Sequence, residues 1–458
     1  MASPTVLIMA AGHGTRMHSS VPKVLHPICG RPMLHWVIES ARAAGAGKIV
    51  AIVRPGEGVA DALPDGVVAA EQTDGEGTGC AVLASRDAVG GSGTVVVLSG
   101  DHPLVSAELI REFVVAHERE GAAATMLTSE ELDPTGYGRV IRANDGSVER
   151  IVETKHPEGL SDEELATREI NMGAYAFDAE ELFSALDEAG EQYGERYLTD
   201  VFPILRERGR RIAAHRTSDV SSAMGVNTRA DLMAVAERLQ RRLLDEHARA
   251  GVTFELPGSV YLEAGVEIGP DTVIAPGVTL RGTTRIGGGS TIGPNTTVID
   301  SEIGDGVTAL HAYLLEAQVE NGVSIGPFAY LRPGTVVREG AKIGTYVEVK
   351  NSNIGRGTKV PHLSYLGDAD VGEETNVAAG NITANYHAGK KTRTRIGDHV
   401  HTGVHTSLVA PVTVGDDAYT AAGSVITEDV PEGALGISRP PQRNVEGYAE
   451  RIRKETKE

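Results

Sequence analysis

Between residues 260 and 430 an aliphatic residue recurs every sixth position: Ile268, Ile274, Leu280, Ile286, Ile292 and Val298. The phase slips and resumes at Ile325, Leu331, Val337, Ile343 and Val349. It slips again and returns at Ile396, Leu408, Val414 and Ile426, with Thr402 and Thr420 filling two slots. Glycine often follows the aliphatic, as in Ile268-Gly269, Ile325-Gly326, Ile343-Gly344 and Ile396-Gly397, and small or polar residues fill the rest. One inward aliphatic and a turn in every six residues predict a parallel β-helix built from hexapeptides. Each short strand buries its aliphatic against the coils above and below, so a stack is stable where one repeat is not. A glycine-rich linker keeps no such phase.

Ahead of the repeat the pattern changes. Apolar runs at 5–9, 48–53 and 94–98 alternate with helical patterns such as 33–44, which predicts a doubly wound α/β sheet. Thr228 has the side chain of an N-cap, with Asp231 three residues on. Leu232, Val235, Ala236, Leu239 and Leu243 then form one helical stripe, which Gly251 closes. About 22 residues at ~1.5 Å each give an arm of roughly 33 Å. The expected organisation is an α/β domain at 1–227, a helical linker at 228–251 with a solvated charged face, and the repeat domain at 252–458.

A length of 458 residues accommodates these two domains. Forty-three basic against 63 acidic residues give a net charge of −20, which argues against nucleic acid or an anionic membrane as partner. Small phosphorylated ligands need only a local basic cluster. Two cysteines, Cys29 and Cys80, imply no disulfide framework and fit a reducing cytosol. The N-terminal apolar run lacks a basic segment before it, and no apolar stretch approaches the ~20 residues of a membrane helix. The expectation is a soluble cytoplasmic protein.

The candidate chemistry falls at strand ends, where doubly wound sheets bind ligands. After the first strand comes Gly12-x-Gly14, a loop whose backbone N–H groups can approach phosphate oxygens. It is not a P-loop, and Gly389-Lys390-Lys391-Thr392 lacks the first glycine that motif requires. Arg16 and Lys23 add two cations, enough to hold a triphosphate and offset charge developing at its α-phosphorus. Ser99-Gly100-Asp101 ends another apolar strand, and a carboxylate there suits Mg²⁺ held jointly with substrate phosphates. Gly138, Glu153, Asn171 and Asn227 supply glycine turns and side chains able to read a sugar. In the repeat, the sixfold beat is mostly lost between Val349 and Ile396, where Lys350, His362, Ser364, Tyr365, Asn376, Asn381, Asn385, Tyr386 and Lys391 crowd in. Acyl transfer to an amine needs that amine deprotonated, which suits His362 as base. Arg332 and Lys350 suit a sugar phosphate, and Asn or backbone N–H groups suit an oxyanion. His387, His399, His401 and His405 show no metal-ligand spacing and read as surface.

The string Ala10-Ala11-Gly12-x-Gly14-Thr15-Arg16-Met17…Pro22-Lys23 resembles the signature of sugar-1-phosphate nucleotidyltransferases. Gly77-Thr78-Gly79, Gly100-Asp101-x-Pro103-Leu104, Pro134-Thr135-Gly136-Tyr137-Gly138-Arg139 and the hexapeptide tail follow in order. With them, nearly the whole chain is similar to a bacterial family joining N-acetylglucosamine-1-phosphate uridyltransferase to glucosamine-1-phosphate N-acetyltransferase. The resemblance implies a Rossmann-like nucleotidyltransferase domain, a left-handed β-helix, and a homotrimer with sites between coils of adjacent subunits. It implies acetyl-CoA-dependent N-acetylation of glucosamine-1-phosphate, then uridylyl transfer from UTP to N-acetylglucosamine-1-phosphate with release of pyrophosphate. The resemblance also implies that the product is a precursor of peptidoglycan and related envelope polymers.

Residue by residue, it implies that Met9, Ala10, Ala11, Gly12, Lys23, Gly77, Thr78, Ser99 and Gly100 meet the UDP part. Gly138, Glu153, Asn171 and Asn227 would meet the sugar side, and Asp101 with Asn227 would hold Mg²⁺. Relatives usually carry Gln near the uracil where this chain has Ala69, with residues 73–76 as a small insertion, so Gln72 becomes the base-reading candidate. Arg332, Lys350, Tyr365 and Asn376 would bind glucosamine-1-phosphate, with His362 as base. Ala379, Asn385, Tyr386, Val404, Ala422 and Arg439 would contact acetyl-CoA; relatives commonly carry Ser at the position of Val404. Two other readings stand beside this one. In the first, the β-helix only oligomerises or regulates a nucleotidyltransferase, a reading opposed by the His362, Tyr365, Asn385 and Tyr386 group. In the second, both folds form a non-catalytic scaffold, opposed by Arg16, Lys23 and Asp101.

Overall fold

The computed structural model describes residues 3–131, 133–135, 137–143, 146–152, 161–191 and 194–456. The chain divides into two compact units, Met1–Arg241 and Arg242–Glu458. In the first, nine strands share one mixed sheet. They are β1 (Thr5–Met9), β2 (Lys48–Val53), β3 (Val67–Glu71), β4 (Thr94–Ser99), β5 (Ala124–Ser129), β6 (Arg139–Arg142), β7 (Val148–Val152), β8 (Ile170–Asp178) and β9 (Ile212–Arg216). The order is β9-β5-β8-β4-β1-β2-β3, with β6 and β7 attached beside β8. β8 runs antiparallel to its neighbours β4 and β5, while β4, β1, β2 and β3 are parallel.

Side-chain alternation divides each strand between two cores. Leu7, Val50, Ile52, Val95 and Val97 pack with Leu182, Leu186 and Phe202 on one face. Val6, Ile8, Ile49, Ala51, Val96 and Leu98 pack with Leu34, Val37, Ile38, Leu109 and Phe113 on the other. With both faces covered, β1, β2 and β4 carry polar residues only at their ends, and these open where β1 and β4 finish at Met9 and Ser99.

The helix Arg229–Arg249 follows the expected stripe: Val235, Leu239, Leu243 and Leu244 are buried. Its start is a reciprocal cap, because the Asp231 N–H donates to Thr228 Oγ1 (3.2 Å) and the Thr228 N–H to Asp231 Oδ2 (2.8 Å). The boundary between the units falls inside this helix, not at either of its ends.

The repeat forms a left-handed parallel β-helix. Its strands make three parallel sheets: seven strands from Thr253–Phe254 to Lys359–His362, ten from Tyr261–Leu262 to Val425–Ile426, and nine from Glu267–Ile268 to Val412–Val414. Ile274, Leu280, Ile292, Val298, Leu331, Ile343 and Val349 are fully buried, so the six-residue beat is the inward residue of each face.

The phase slips have a geometric cause. Ile274 pairs with Ile292, Ile292 with Ala309, and Ala309 with Ile325, so successive coils shorten from 18 residues to 17 and 16. The corner between Thr279–Arg281 and Arg285–Ile286 has three residues, whereas that between Thr297–Ile299 and Glu302–Ile303 has two, with Asp300 in the left-handed region (φ 45°). The second slip is an insertion. Asn376 pairs with His401, 25 positions on, and the surplus folds out as an antiparallel hairpin of Tyr386–His387 with Lys390–Lys391. Beyond the coils, Tyr448–Glu455 is helical and exposed throughout, whereas the mixed charges of residues 451–458, with nothing apolar after Ile452, read in the sequence as a frayed tail. No helix among the described residues is long and apolar enough to cross a membrane.

The glycine after an inward aliphatic is there for close approach. A Cβ on Gly344 would drive into the backbone carbonyl oxygen of Pro361 on the next coil. That atom belongs to the ladder and has little room to yield. Gly344→Ala is expected to destabilise the repeat unit by about 1–3 kcal/mol, read by calorimetry of the full chain as a lowered transition for that unit alone.

Candidate active sites

The first unit carries a cleft of about 380 Å³ lined by Met9, Ala10, Ala11, Gly12, Lys23, Gln72, Gly77, Thr78, Ser99 and Asp101. Ten of the residues expected at a nucleotide thus share one cavity, at the ends of β1 and β4. Gly14 is left-handed (φ 59°), and a Cβ there would sit 2.6 Å from Lys23 Cβ. The loop can therefore cross the lysine only as glycine. Gly100 lies beneath the cleft, its N–H donating to Met9 O at 2.9 Å.

Asp101 is the charged centre. It is 9% exposed, its Oδ1 accepts from Ser99 Oγ at 2.6 Å, and its Oδ2 is ion-paired to Lys23 Nζ. Lys23 also reaches Asn227 Oδ1 (3.4 Å), which accepts from Arg16 as well (2.9 Å). Burial opposes ionisation of Asp101, but the neighbouring His102 and Lys23 and the hydrogen bonds from Lys23 and Ser99 outweigh it, holding the carboxyl below its usual value. Among the described residues no three His, Cys, Asp or Glu converge on a metal position. Asp101 and Asn227 already gather around the ammonium of Lys23, a cation. One carboxylate and one amide oxygen, completed by substrate phosphates, form a donor set that suits Mg²⁺.

Ala69 is exposed on β3 and does not line the cleft, whereas Gln72 is 5% exposed, lines it, and donates to Gly75 O at 3.0 Å. Asn171 and Gly138 come together, the Asn171 N–H donating to Gly138 O at 2.9 Å, but neither lines this cleft. Glu153 and Gly136 lie outside the described residues. Sequence reasoning missed His13, Arg54, Glu76, Glu195 and Tyr197, which also line the cleft. Arg54 donates to Ala11 O (2.7 Å) and to Glu76 Oε2 (2.6 Å). It follows directly on the apolar strand β2, the same strand-end signal that singled out Asp101.

In the repeat unit the expected residues fall into two groups on different faces. Arg332, Lys350 and Tyr365 belong to the ten-stranded sheet: Glu348 pairs with Tyr365 and Lys350 with Gly367, while the Arg332 N–H donates to Val349 O. Arg332 is ion-paired to Glu348 (2.8 Å). Lys350 Nζ lies 3.2 and 3.1 Å from the two oxygens of Asp368, which also accepts from Asn351 Nδ2 (2.6 Å) and Asn385 Nδ2 (2.5 Å). Burial opposes ionisation of Asp368, yet these hydrogen bonds outweigh it and its pKa lies below the ordinary value.

The second group stacks at a corner. Lys359 pairs with Asn376, Asn376 with His401, and His401 with Tyr419. Three residues along, the same register stacks His362, Ala379, Val404 and Ala422 on successive coils. The N–H groups of Gly380, His405 and Gly423 donate to His362, Ala379 and Val404 O at 3.4, 2.8 and 2.8 Å. Three small or apolar side chains thus run in line from the exposed His362. Asn376 lies with this group, so one chain does not unite it with Arg332, Lys350 and Tyr365. Tyr386 projects on the inserted hairpin and Arg439 lies exposed after the last coil. His387, His399, His401 and His405 are exposed, as read. Asp368, which nothing in the repeat pattern marked, is the missed residue here.

Residues 6–201 match the family model of the MobA-like NTP transferase domain. The chain is 45% identical to the bifunctional protein GlmU of Mycolicibacterium vanbaalenii over 99% of its own length and 94% of the relative's. It is likewise 45% identical to the bifunctional protein GlmU of Halalkalibacterium halodurans, covering 98% and 99%. A solved UDP-glucose pyrophosphorylase complexed with UDP-glucose superposes with a TM-score of 0.42 at 17% identity, over 53% of this chain and 100% of its own.

The strand end at Gly367 supplies a test of the second site. A Cβ there would press on Tyr365 Oη and sit 2.7 Å from Asn385 Nδ2, both movable side-chain ends. Gly367→Ala should therefore fold normally while displacing two site residues by about 1 Å, lowering acetyl transfer by about 10- to 100-fold. Steady-state rates beside an unchanged thermal transition check this.

Proposed function

From membership of the bifunctional GlmU family, to which this chain belongs, we propose that its two units divide uridyl transfer and acetyl transfer between them. Enzymes of this family carry out both reactions. Acetyl transfer is assigned to the repeat unit. There the amine of glucosamine-1-phosphate attacks the thioester carbon of acetyl-CoA, His362 accepts the amine proton, and the carbon–sulfur bond breaks to release CoA. Arg332 and Lys350 hold the sugar phosphate with charge-assisted hydrogen bonds. The line of Ala379, Val404 and Ala422 gives the acetyl-CoA arm an apolar track, in which Val404 offers no hydroxyl.

Uridyl transfer is assigned to the cleft of the first unit. A phosphate oxygen of N-acetylglucosamine-1-phosphate attacks the α-phosphorus of UTP, and the bond to the β-phosphate breaks to release pyrophosphate. The backbone of residues 9–12, Arg16 and Lys23 bind the triphosphate and offset its developing charge. Gln72 and Gly77-Thr78 take the base, and Asn171 and Gly138 the sugar. Mg²⁺ held by Asp101 and Asn227 would neutralise phosphate charge.

The reading includes a homotrimer, and the division of the acetylation residues between faces supports sites completed between chains. Asn376 and the His362 line of one chain meet Arg332, Lys350 and Tyr365 of another. An exposed apolar ridge supports this, with Phe328 stacked on Tyr346 (5.3 Å) and Leu363 next in line; all three are more than half exposed.

The observation that carries the reading is the stack of Arg332 and Lys350 on consecutive coils at strand ends of the ten-stranded sheet, leading into the broken region of the repeat that carries the His362 line. A merely structural tail has no use for cations and a base in its broken coils. Two inactive variants, Asp101→Ala and His362→Ala, test it. Neither alone should convert glucosamine-1-phosphate, acetyl-CoA and UTP to UDP-N-acetylglucosamine, while a mixture should, because one makes the intermediate that the other consumes. A His362→Ala variant that retains full acetyl transfer would remove the base assignment, and a wild type that consumes no acetyl-CoA would leave only a nucleotidyltransferase.

A further inference from the structure

We infer that Asp368 sets the polarity of the acetyl-transfer site, so that Asn385 meets the substrate as a hydrogen-bond acceptor and Lys350 meets the sugar phosphate from a fixed position. The inference rests on the acetyl-transfer reading above. Asp368 stands at the end of the strand Tyr365–Gly367, 6% exposed, in a left-handed corner (φ 48°). Its carboxylate receives Lys350 at 3.2 and 3.1 Å, Asn351 at 2.6 Å and Asn385 at 2.5 Å. Lys350 is expected on the sugar phosphate and Asn385 on acetyl-CoA, so one buried group ties the two substrate sides together.

The chemistry of the carboxylate decides which way Asn385 faces. An ionised carboxylate only accepts, so the amide end turned to it is the NH₂. Asn385 Nδ2 is committed to Asp368, and Tyr365 Oη borders the same space beside Gly367. With one N–H given to Asp368 and the NH₂ end turned toward the carboxylate, the end of Asn385 that faces away is its carbonyl oxygen. An acceptor suits the N–H of the incoming amine or of the pantetheine arm, and it does not suit an oxyanion. The expectation that Asn side chains stabilise the tetrahedral oxygen therefore does not extend to the end of Asn385 that faces away from Asp368. Two carboxylate oxygens provide about four acceptor positions for the four contacts. An amide provides one oxygen and turns its own N–H groups on surrounding donors, so Asp368→Asn cannot satisfy all three partners, and Lys350, the longest and most mobile, is the one released.

The test uses the full chain and measures both transfers in one preparation. Asp368→Asn should raise KM for glucosamine-1-phosphate by at least about 10-fold, while uridyl transfer changes by less than about twofold. Combined with Lys350→Met, the double variant should be no worse than about threefold beyond the poorer single one, because both changes remove one shared interaction. An unchanged KM, or effects that multiply, would overturn the inference, as would a fall in kcat that tracks loss of thermal stability with KM intact. If Asp368→Asn does not assemble like wild type, Asn385→Leu replaces it: the acceptor offered to substrate is lost at similar volume, and unchanged KM values for both glucosamine-1-phosphate and acetyl-CoA overturn the inference there too. Failure of the underlying reading is seen separately, as wild-type protein that consumes no acetyl-CoA, and it removes both.

Discussion

An ionised carboxylate taken out of water must be met by donors, because the desolvation it suffers exceeds most single interactions in a folded chain. Both candidate sites are organised around that constraint. In the first unit Asp101 is met by Lys23 and Ser99, with Asn227 sharing the lysine; in the second, Asp368 is met by Lys350, Asn351 and Asn385. Each site thus holds a buried aspartate, a lysine and an asparagine. Each aspartate sits just beyond an apolar strand, Thr94–Ser99 in one case and Tyr365–Gly367 in the other. In the doubly wound sheet, strands apolar on both faces leave no place for charge along their length, so charge gathers where they stop.

The two folds deliver this arrangement by different means. In the sheet, helices cover both faces, and the phosphate-binding loop, Lys23 and Asp101 meet only because β1 and β4 are neighbours in register. In the β-helix, each coil repeats the last about 17 or 18 residues on, so residues far apart in the chain stack in columns. His362, Ala379, Val404 and Ala422 form one such column and Arg332 with Lys350 another. The hairpin Tyr386–His387 with Lys390–Lys391 lets the coil depart from its period without disturbing the stack.

The architecture could be read from the chain because its signals are local. A six-residue beat needs only the inward aliphatic of each face, and Thr228 with Asp231 announces a helix start within four residues. The positions of the slips were also readable, but not their cause, since a corner shortened by one residue looks like any other polar stretch. Candidate residues at strand ends were found wherever a motif marked them. Asp368 and Arg54 escaped because their meaning lies in partners 17 to 43 residues away, and no local pattern records those contacts. The register likewise separates Asn376 from Arg332, Lys350 and Tyr365, a division invisible to spacing alone.

On the proposed reading, one chain holds two chemically independent centres, one for a nucleoside triphosphate and one for a thioester. Calorimetric titration of UTP with Mg²⁺ into the protein, first alone and then saturated with acetyl-CoA, tests it most directly. Independent sites predict one UTP per chain and a Kd that changes by less than about twofold, since no coupling free energy links them. Displacement of UTP by acetyl-CoA, or a stoichiometry that falls when acetyl-CoA is present, would contradict it.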